Sequence, residues 1–259
     1  MKITILGCGT STGVPLIHCG CRVCKSRNPK NNRLRASIWI QRAGKSLLVD
    51  TSTDLRQQAL REKIQKIDAV CITHPHADHI GGMDELRSFN FVQRARIPVY
   101  GNTWTTEALK ARFPYIFTPS EGEGGGGIPL LDLHTLSPST KKFRAASTLI
   151  QPIPLQHGTM ECLGYRVKNF AYATDFQALP ADSIKKLQDL EVLILDCLRL
   201  APHGTHLHLE MALNLIEQVR PKKALLTHLG HDFDYGTWNR KLPKGVGLAF
   251  DGMKISVDD

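Results

Sequence analysis

No apolar run in the chain approaches the ~20 residues that a membrane-spanning helix requires, which excludes a helical membrane protein. The opening MKITILGCGT has neither the basic region, the apolar stretch nor the small-residue cleavage site of a secretory signal, so a cytoplasmic protein is expected. Lysine and arginine outnumber aspartate and glutamate, 33 to 24, for a formal charge of +9. Yet the sequence has no long Lys/Arg run and no aromatics interleaved with one, so a dedicated nucleic-acid groove is not visible. The charge reads either as attraction for phosphate-bearing substrates or as an ordinary basic surface. An even set of cysteines is missing too. There are seven, and Cys19, Cys21 and Cys24 are clustered. In a reducing compartment such a cluster points to metal before disulfide. No short-period repeat and no interdomain boundary can be seen.

What is present is an alternation of apolar strands and amphipathic helices. Strands are expected over 2–6, 37–41, 46–50, 69–73, 97–100, 149–154, 163–167, 170–174, 192–196, 224–227 and 253–257. Helices are expected over 53–66, 82–90, 105–112, 181–187 and 207–219. In the last of these, Leu209, Ala212, Leu213, Leu215, Ile216 and Val219 form a broad apolar face, and Pro221 follows where it would stop the helix. The stretch from Pro119 to Gly127 (PSEGEGGGG) can bury almost nothing and reads as a surface loop, either a lid or a plain connection. The mixture implies one α/β or α+β domain over residues 1–259.

The densest chemical signal is Thr73-His74-Pro75-His76-Ala77-Asp78-His79, directly after the apolar Ala69-Val70-Cys71-Ile72. Three histidines and an aspartate in six residues could form a solvated polar turn. Placed where a buried strand ends, they form a better ligand loop for zinc, manganese or iron. His157, Asp175 and His228 each follow another expected strand, after Pro154-Leu155, Ala173-Thr174 and Leu226-Thr227. Jointly they complete two sites. His74, His76 and His157 would hold one divalent ion, Asp78, His79 and His228 the other, and Asp175 would bridge both. Cys19, Cys21 and Cys24 offer three thiolates to a separate structural zinc, with His231 the expected fourth ligand. Cys8, Cys71, Cys162 and Cys197 fall in or beside strands and read as small buried hydrophobes.

The ligand loop, followed in order by His157, Asp175 and His228, resembles the metallo-β-lactamase superfamily over nearly the whole chain. The resemblance implies a four-layer αββα sandwich with the metals at one edge, and a supporting role for Asp50 at the end of Leu47-Leu48-Val49. Further features are similar to the PhnP family of cyclic phosphodiesterases. These are the Gly-rich turn from Gly7 to Pro15, the Cys19/Cys21/Cys24 loop, Asp196 followed by His206, and Phe250-Asp251-Gly252-Met253. That resemblance implies two catalytic ions, zinc or manganese, a structural zinc, and hydrolysis of 5-phosphoribosyl 1,2-cyclic phosphate to ribose 1,5-bisphosphate by a hydroxide held between the ions. It makes Asp78 and His206 the candidate catalytic residues, His206 assisting at the substrate phosphate, and carries an expectation of a homodimer. Arg33, Arg35 and Arg199 are candidates for gripping a second phosphate, or are plain surface arginines. His208, and the added length from Pro119 to Gly127, depart from the family pattern. The rival readings are a tRNA 3′-processing nuclease, a thioester or lactone hydrolase, and a PqqB-type accessory protein of cofactor synthesis.

Overall fold

The computed structural model of the protein describes residues 1–118 and 127–258. Of the expected loop from Pro119 to Gly127, all but Gly127 lies outside the described residues. The strands in chain order are β1 (Lys2–Gly7), β2 (Ser37–Arg42), β3 (Lys45–Val49), β4 (Ala69–Cys71), β5 (Ile97–Asn102), β6 (Leu131–Leu136), β7 (Phe143–Ala145), β8 (Thr148–His157), β9 (Met160–Val167), β10 (Phe170–Ala173), β11 (Val192–Asp196), β12 (Lys223–Thr227), β13 (Val246–Leu248) and β14 (Lys254–Ser256). The helices are α1 (Leu55–Glu62), α2 (Ala77–Ile80), α3 (Leu86–Gln93), α4 (Thr103–Arg112), α5 (Pro114–Phe117), α6 (Ala181–Lys186), α7 (Leu209–Val219) and α8 (Tyr235–Lys241).

The strands form two seven-stranded sheets, ordered β14-β1-β2-β3-β4-β5-β6 and β13-β12-β11-β10-β9-β8-β7. The period of two along each strand divides its side chains between two layers. Ile38 and Ile40 of β2, Leu47 and Val49 of β3, and Phe170 and Tyr172 of β10 point into the core between the sheets. Trp39, Leu48 and Val70 face outward against Leu55, Leu86, Phe89 and Leu109 of the helices covering the first sheet. Ala171, Leu193, Leu195 and Leu226 face Leu187, Ala212, Leu215 and Val219 on the other side. The result is an αββα sandwich of four layers. Among the described residues, no helix is long and apolar enough to cross a membrane.

Most expected elements are present with shifted ends. The helix expected over 53–66 is confined to α1, because Lys63 takes left-handed backbone (φ 54°) and closes it. The helix expected over 82–90 is a 3₁₀ turn, Met83–Glu85, followed by α3. Strands β6, β7 and β13 carry too weak an apolar pattern to stand out, and α2 was hidden because it begins inside the ligand motif at Ala77.

Strands β3 to β6 run parallel in one sheet and β10 to β13 in the other, so their C-terminal ends gather at one edge of the sandwich. Cross-sheet hydrogen bonds close that edge. The Tyr165 hydroxyl donates to the Ile72 carbonyl at 2.6 Å, and the Leu163 amide to the Thr73 carbonyl at 2.9 Å. The ligand loop also needs its glycines. A Cβ on Gly82 would meet the Ser52 carbonyl oxygen at 2.2 Å, and one on Gly81 the Thr53 methyl at 2.4 Å. Tyr165→Phe removes the donor from a buried carbonyl and is expected to cost about 1–3 kcal/mol. Urea unfolding checks this, and an unchanged midpoint would contradict the role given to this bond.

Candidate metal centre

The donors reach the edge from several strand ends. His74, His76, Asp78 and His79 come from the loop after β4 and from α2, and His157 ends β8. Asp175 follows β10, Asp196 ends β11, and His228 follows β12. The structure brings these residues into two adjoining groups. In the first, His74 Nε2 and His76 Nδ1 lie 2.9 Å apart, and the His157 ring centre lies 5.2 and 5.1 Å from theirs. In the second, His79 Nε2 lies 3.2 Å from Asp78 Oδ2, and His228 Nε2 lies 3.5 Å from the same oxygen. Asp175 Oδ2 touches both groups, at 3.1 Å from His228, 3.3 Å from His79 and 3.7 Å from His74.

These donors fit divalent ions. His79 Nε2 is buried, lies between two carboxylates and makes no hydrogen bond, so its lone pair faces the space an ion would fill. All members of the second group are buried, and buried carboxylates need a cation close by. Burial pushes the Asp78 carboxyl up, but His79 and His228 outweigh it and hold the group well below the ordinary carboxylate range. Burial likewise opposes a charge on His79, yet Asp78, Asp175 and Asp50 raise its affinity for a proton above that of ordinary histidine. His74 and His157 are pushed the other way by burial, toward the neutral form that coordinates metal.

The supporting contacts fix which nitrogen faces the ions. Asp50 Oδ2 receives His79 Nδ1 at 2.8 Å and also holds Thr73, leaving His79 Nε2 aimed inward. His157 Nδ1 donates to the Thr205 carbonyl at 2.8 Å. Asp50 and His228 both hold left-handed backbone, φ 67° and 56°, strain of the kind packing sustains at functional sites.

His206 stands beside the second group, its ring stacked on His228 at 4.7 Å. Its Nδ1 lies 3.2 Å from Asp196 Oδ2, which also accepts from the Phe176 and Leu207 amides. Burial disfavours the charged ring, but Asp196 overrides this and the pKa is pushed up to about 9. Asp196 was named only as a family feature ahead of His206 and given no role at the site, although a lone acid at the end of the fully apolar Val192-Leu193-Ile194-Leu195 run was its signal. His203, 5.3 Å from His206, and Trp104, 6.1 Å from His76, were not expected either, and no local pattern marks them.

A separate donor group is formed by three cysteines and His231. Cys19, Cys21 and Cys24 Sγ lie 3.2, 3.5 and 3.7 Å from His231 Nδ1. A tetrahedral zinc with ordinary bond lengths places sulfur and nitrogen about 3.5 Å apart. Donation from the Cys24 amide, helped by Cys19 and His231, pulls the Cys21 thiol down to about 6, toward the thiolate that binds metal. His231 and His228 share one loop, so an ion here would tie the N-terminal segment to the catalytic edge. The remaining cysteines are buried. The C-terminal Phe250-Asp251-Gly252-Met253 braces the same region, since Asp251 accepts from the Cys8 and Leu34 amides at 3.1 and 2.8 Å.

The structure shows what engages each of the three arginines named for a phosphate grip. Arg33 is buried, and its guanidinium donates to the Gly230 carbonyl at 2.8 Å and to the Phe233 carbonyl, bracing the His228–His231 loop from beneath. Arg35 is held by Asp54 at 3.1 Å and by the Ser11 carbonyl. Arg199 donates to the Ala201 and Pro202 carbonyls within its own turn. All three are engaged by neighbouring carboxylate or carbonyl oxygens, and their sequence positions alone did not show those partners.

Residues 45–229 match the family model of the beta-lactamase superfamily domain, and the chain belongs to that superfamily. Within it the protein is PhnP-like. It superposes on the crystal structure of a diphosphatase from the PhnP family with a TM-score of 0.91 and 40% identity, over 99% of this chain and 98% of that one. It is also 34% identical, over its full length, to an octanoyltransferase of Porphyromonas gingivalis, of which it spans 52%. It is 25% identical over 78% of its length to a ribonuclease Z of Clostridioides difficile, of which it spans 62%. With the buried His/Asp groups, the superfamily and the PhnP-family likeness support a metal-dependent hydrolase.

Asp50→Asn keeps the shape but weakens the partner of His79 Nδ1. It is expected to lower the affinity for one of the two edge ions about 10- to 100-fold. Metal titration of the chelated protein measures this, and unchanged affinity for both ions would remove Asp50 from the site.

Proposed function

We propose that this chain hydrolyses a phosphate diester, with 5-phosphoribosyl 1,2-cyclic phosphate the favoured substrate. The observation that carries the proposal is the meeting of two donor groups at one carboxylate. His74, His76 and His157 would hold one ion, and Asp78, His79 and His228 the other, with Asp175 between them. Divalent ions so held, zinc or manganese, supply Lewis acidity to phosphoryl oxygens and lower the pKa of water. The separate thiolate cluster would take a structural zinc.

The chain's own contribution is orientation. Asp196 occupies His206 Nδ1, which leaves Nε2 to donate a hydrogen bond to a phosphoryl oxygen or a proton to the leaving ribose oxygen. Asp78, reaching His79 and His228 with one carboxylate oxygen, orients both rings around the attacking side. The PhnP-family diphosphatase supports a small phosphorylated substrate. A second reading, cleavage of a phosphodiester in RNA, is supported by the ribonuclease Z relatives and by the net charge of +9. It uses the same donors and differs in substrate alone. We read residues 1–259 as one hydrolase domain.

With manganese or zinc added, the protein is expected to turn over bis(p-nitrophenyl) phosphate and 5-phosphoribosyl 1,2-cyclic phosphate but not a thioester. Preference for the thioester would overturn the reading, and cleavage of precursor tRNA in place of the cyclic phosphate would select the second one. His206→Ala should lower kcat about 10²- to 10⁴-fold with both ions retained, the size of a lost general acid. Asp78→Ala should abolish turnover together with one ion. Loss of an ion from His206→Ala would make His206 a ligand instead.

A further inference from the structure

At the end of the sandwich remote from the metal centre lies a cleft of about 430 Å³ lined by Arg42, Lys142, Arg144, Arg166 and Lys168. The residues between these cations include Ser147 and Gln151, and no acidic side chain is among the described residues that line it. The cations come from separate places in the sequence. Arg42 ends β2, Arg144 lies in β7, and Arg166 and Lys168 come from the end of β9 and just beyond it. This scatter is why the sequence showed no basic run. Arg166 is held in place, its guanidinium donating to the carbonyls of Lys168, Lys186 and Gln188 at 2.8 Å each. Asp189 is the acid whose field reaches it. Lys142 and Arg144 are exposed and make no ion pair among the described residues.

Lys142 and Arg144, set beside the braced Arg166, repel in one concavity, and a polyanion relieves that repulsion while gaining charge-assisted hydrogen bonds. The concavity is of the size that takes small ligands. Strand β8 runs from this cleft at Thr148 to the metal centre at His157, and a strand of that length spans about 30 Å. A small substrate bound at the metals therefore cannot also fill the cleft.

We propose that this cleft is a second ligand site, separate from the metal centre, for a small molecule carrying two or more phosphate groups. The phosphates sit among Lys142, Arg144 and Arg166, and Ser147 and Gln151 offer neutral polar groups to the rest of the ligand.

Hydrogen exchange of the full-length, metal-loaded protein with and without inorganic pyrophosphate tests this, because it locates binding by position. Slowed exchange is expected over residues 142–151 and 166–168. The double variant Lys142→Gln/Arg144→Gln should weaken that protection by about tenfold or more, the scale of two lost charge-assisted contacts. Its thermal midpoint, and its turnover of bis(p-nitrophenyl) phosphate if the metal centre is active, should stay unchanged. Protection confined to the segments around His74, His157 and His228 would overturn the proposal, as would a double variant that binds pyrophosphate as the parent does. A single-stranded RNA oligonucleotide forms the second arm. If it protects the same segments and others beyond the cleft at far lower concentration than pyrophosphate, the site is a nucleic-acid surface and the small-ligand proposal falls.

Discussion

Buried negative charge is the constraint on which this structure turns. Asp50, Asp78, Asp175 and Asp196 are all buried at one edge of the sandwich, where an unpaired carboxylate is costly. The histidines around them cannot offset that charge while neutral. The three carboxylates around His79 raise its affinity for a proton above that of ordinary histidine, and a pair of dications would supply positive charge there and leave every ring free to coordinate. The affinity of the site for metal thus follows from the way the fold disposes its acids, before any reaction is considered.

The fold meets this constraint by bringing many strand ends together. Parallel strands in both sheets deliver their C-terminal residues to the same edge, so residues as far apart in sequence as Asp78 and His228 become neighbours. Tight contacts then hold the loops there. Gly81 and Gly82 let the ligand loop lie against Ser52 and Thr53, Tyr165 ties the sheets together beneath it, and Arg33 carries the His228–His231 loop from below. Strained backbone at Asp50 and His228 persists because these contacts over-determine it. An ion bound by Cys19, Cys21, Cys24 and His231 would add a further brace to the same loop.

Much of this was legible in the sequence, for identifiable reasons. Short, largely apolar runs marked β2, β3, β10 and β11, because each strand's residues meet a layer on both faces. The donors were legible because ligand-type residues follow those runs. Residues whose role depends on contacts across the fold were harder to read. Arg33 looks like a surface cation until the Gly230 and Phe233 carbonyls close over it. Asp196 looks like a strand terminator until His206 arrives from ten residues later. Short edge strands such as β7 and β13 take their order from a neighbour and leave little mark in composition. The basic cleft was invisible for a related reason, its cations coming from three separate segments around Arg42, Arg144 and Arg166.

The central claim is that two donor groups sharing Asp175 hold two ions, separate from a third at the cysteine cluster. Elemental analysis of the protein purified without chelator, alongside its Asp175→Ala variant, tests it most directly. The account predicts about three divalent ions per chain, and in the variant loss from the shared edge with the thiolate-bound zinc retained. One ion or none in the parent protein, or a variant that keeps all three, would contradict it.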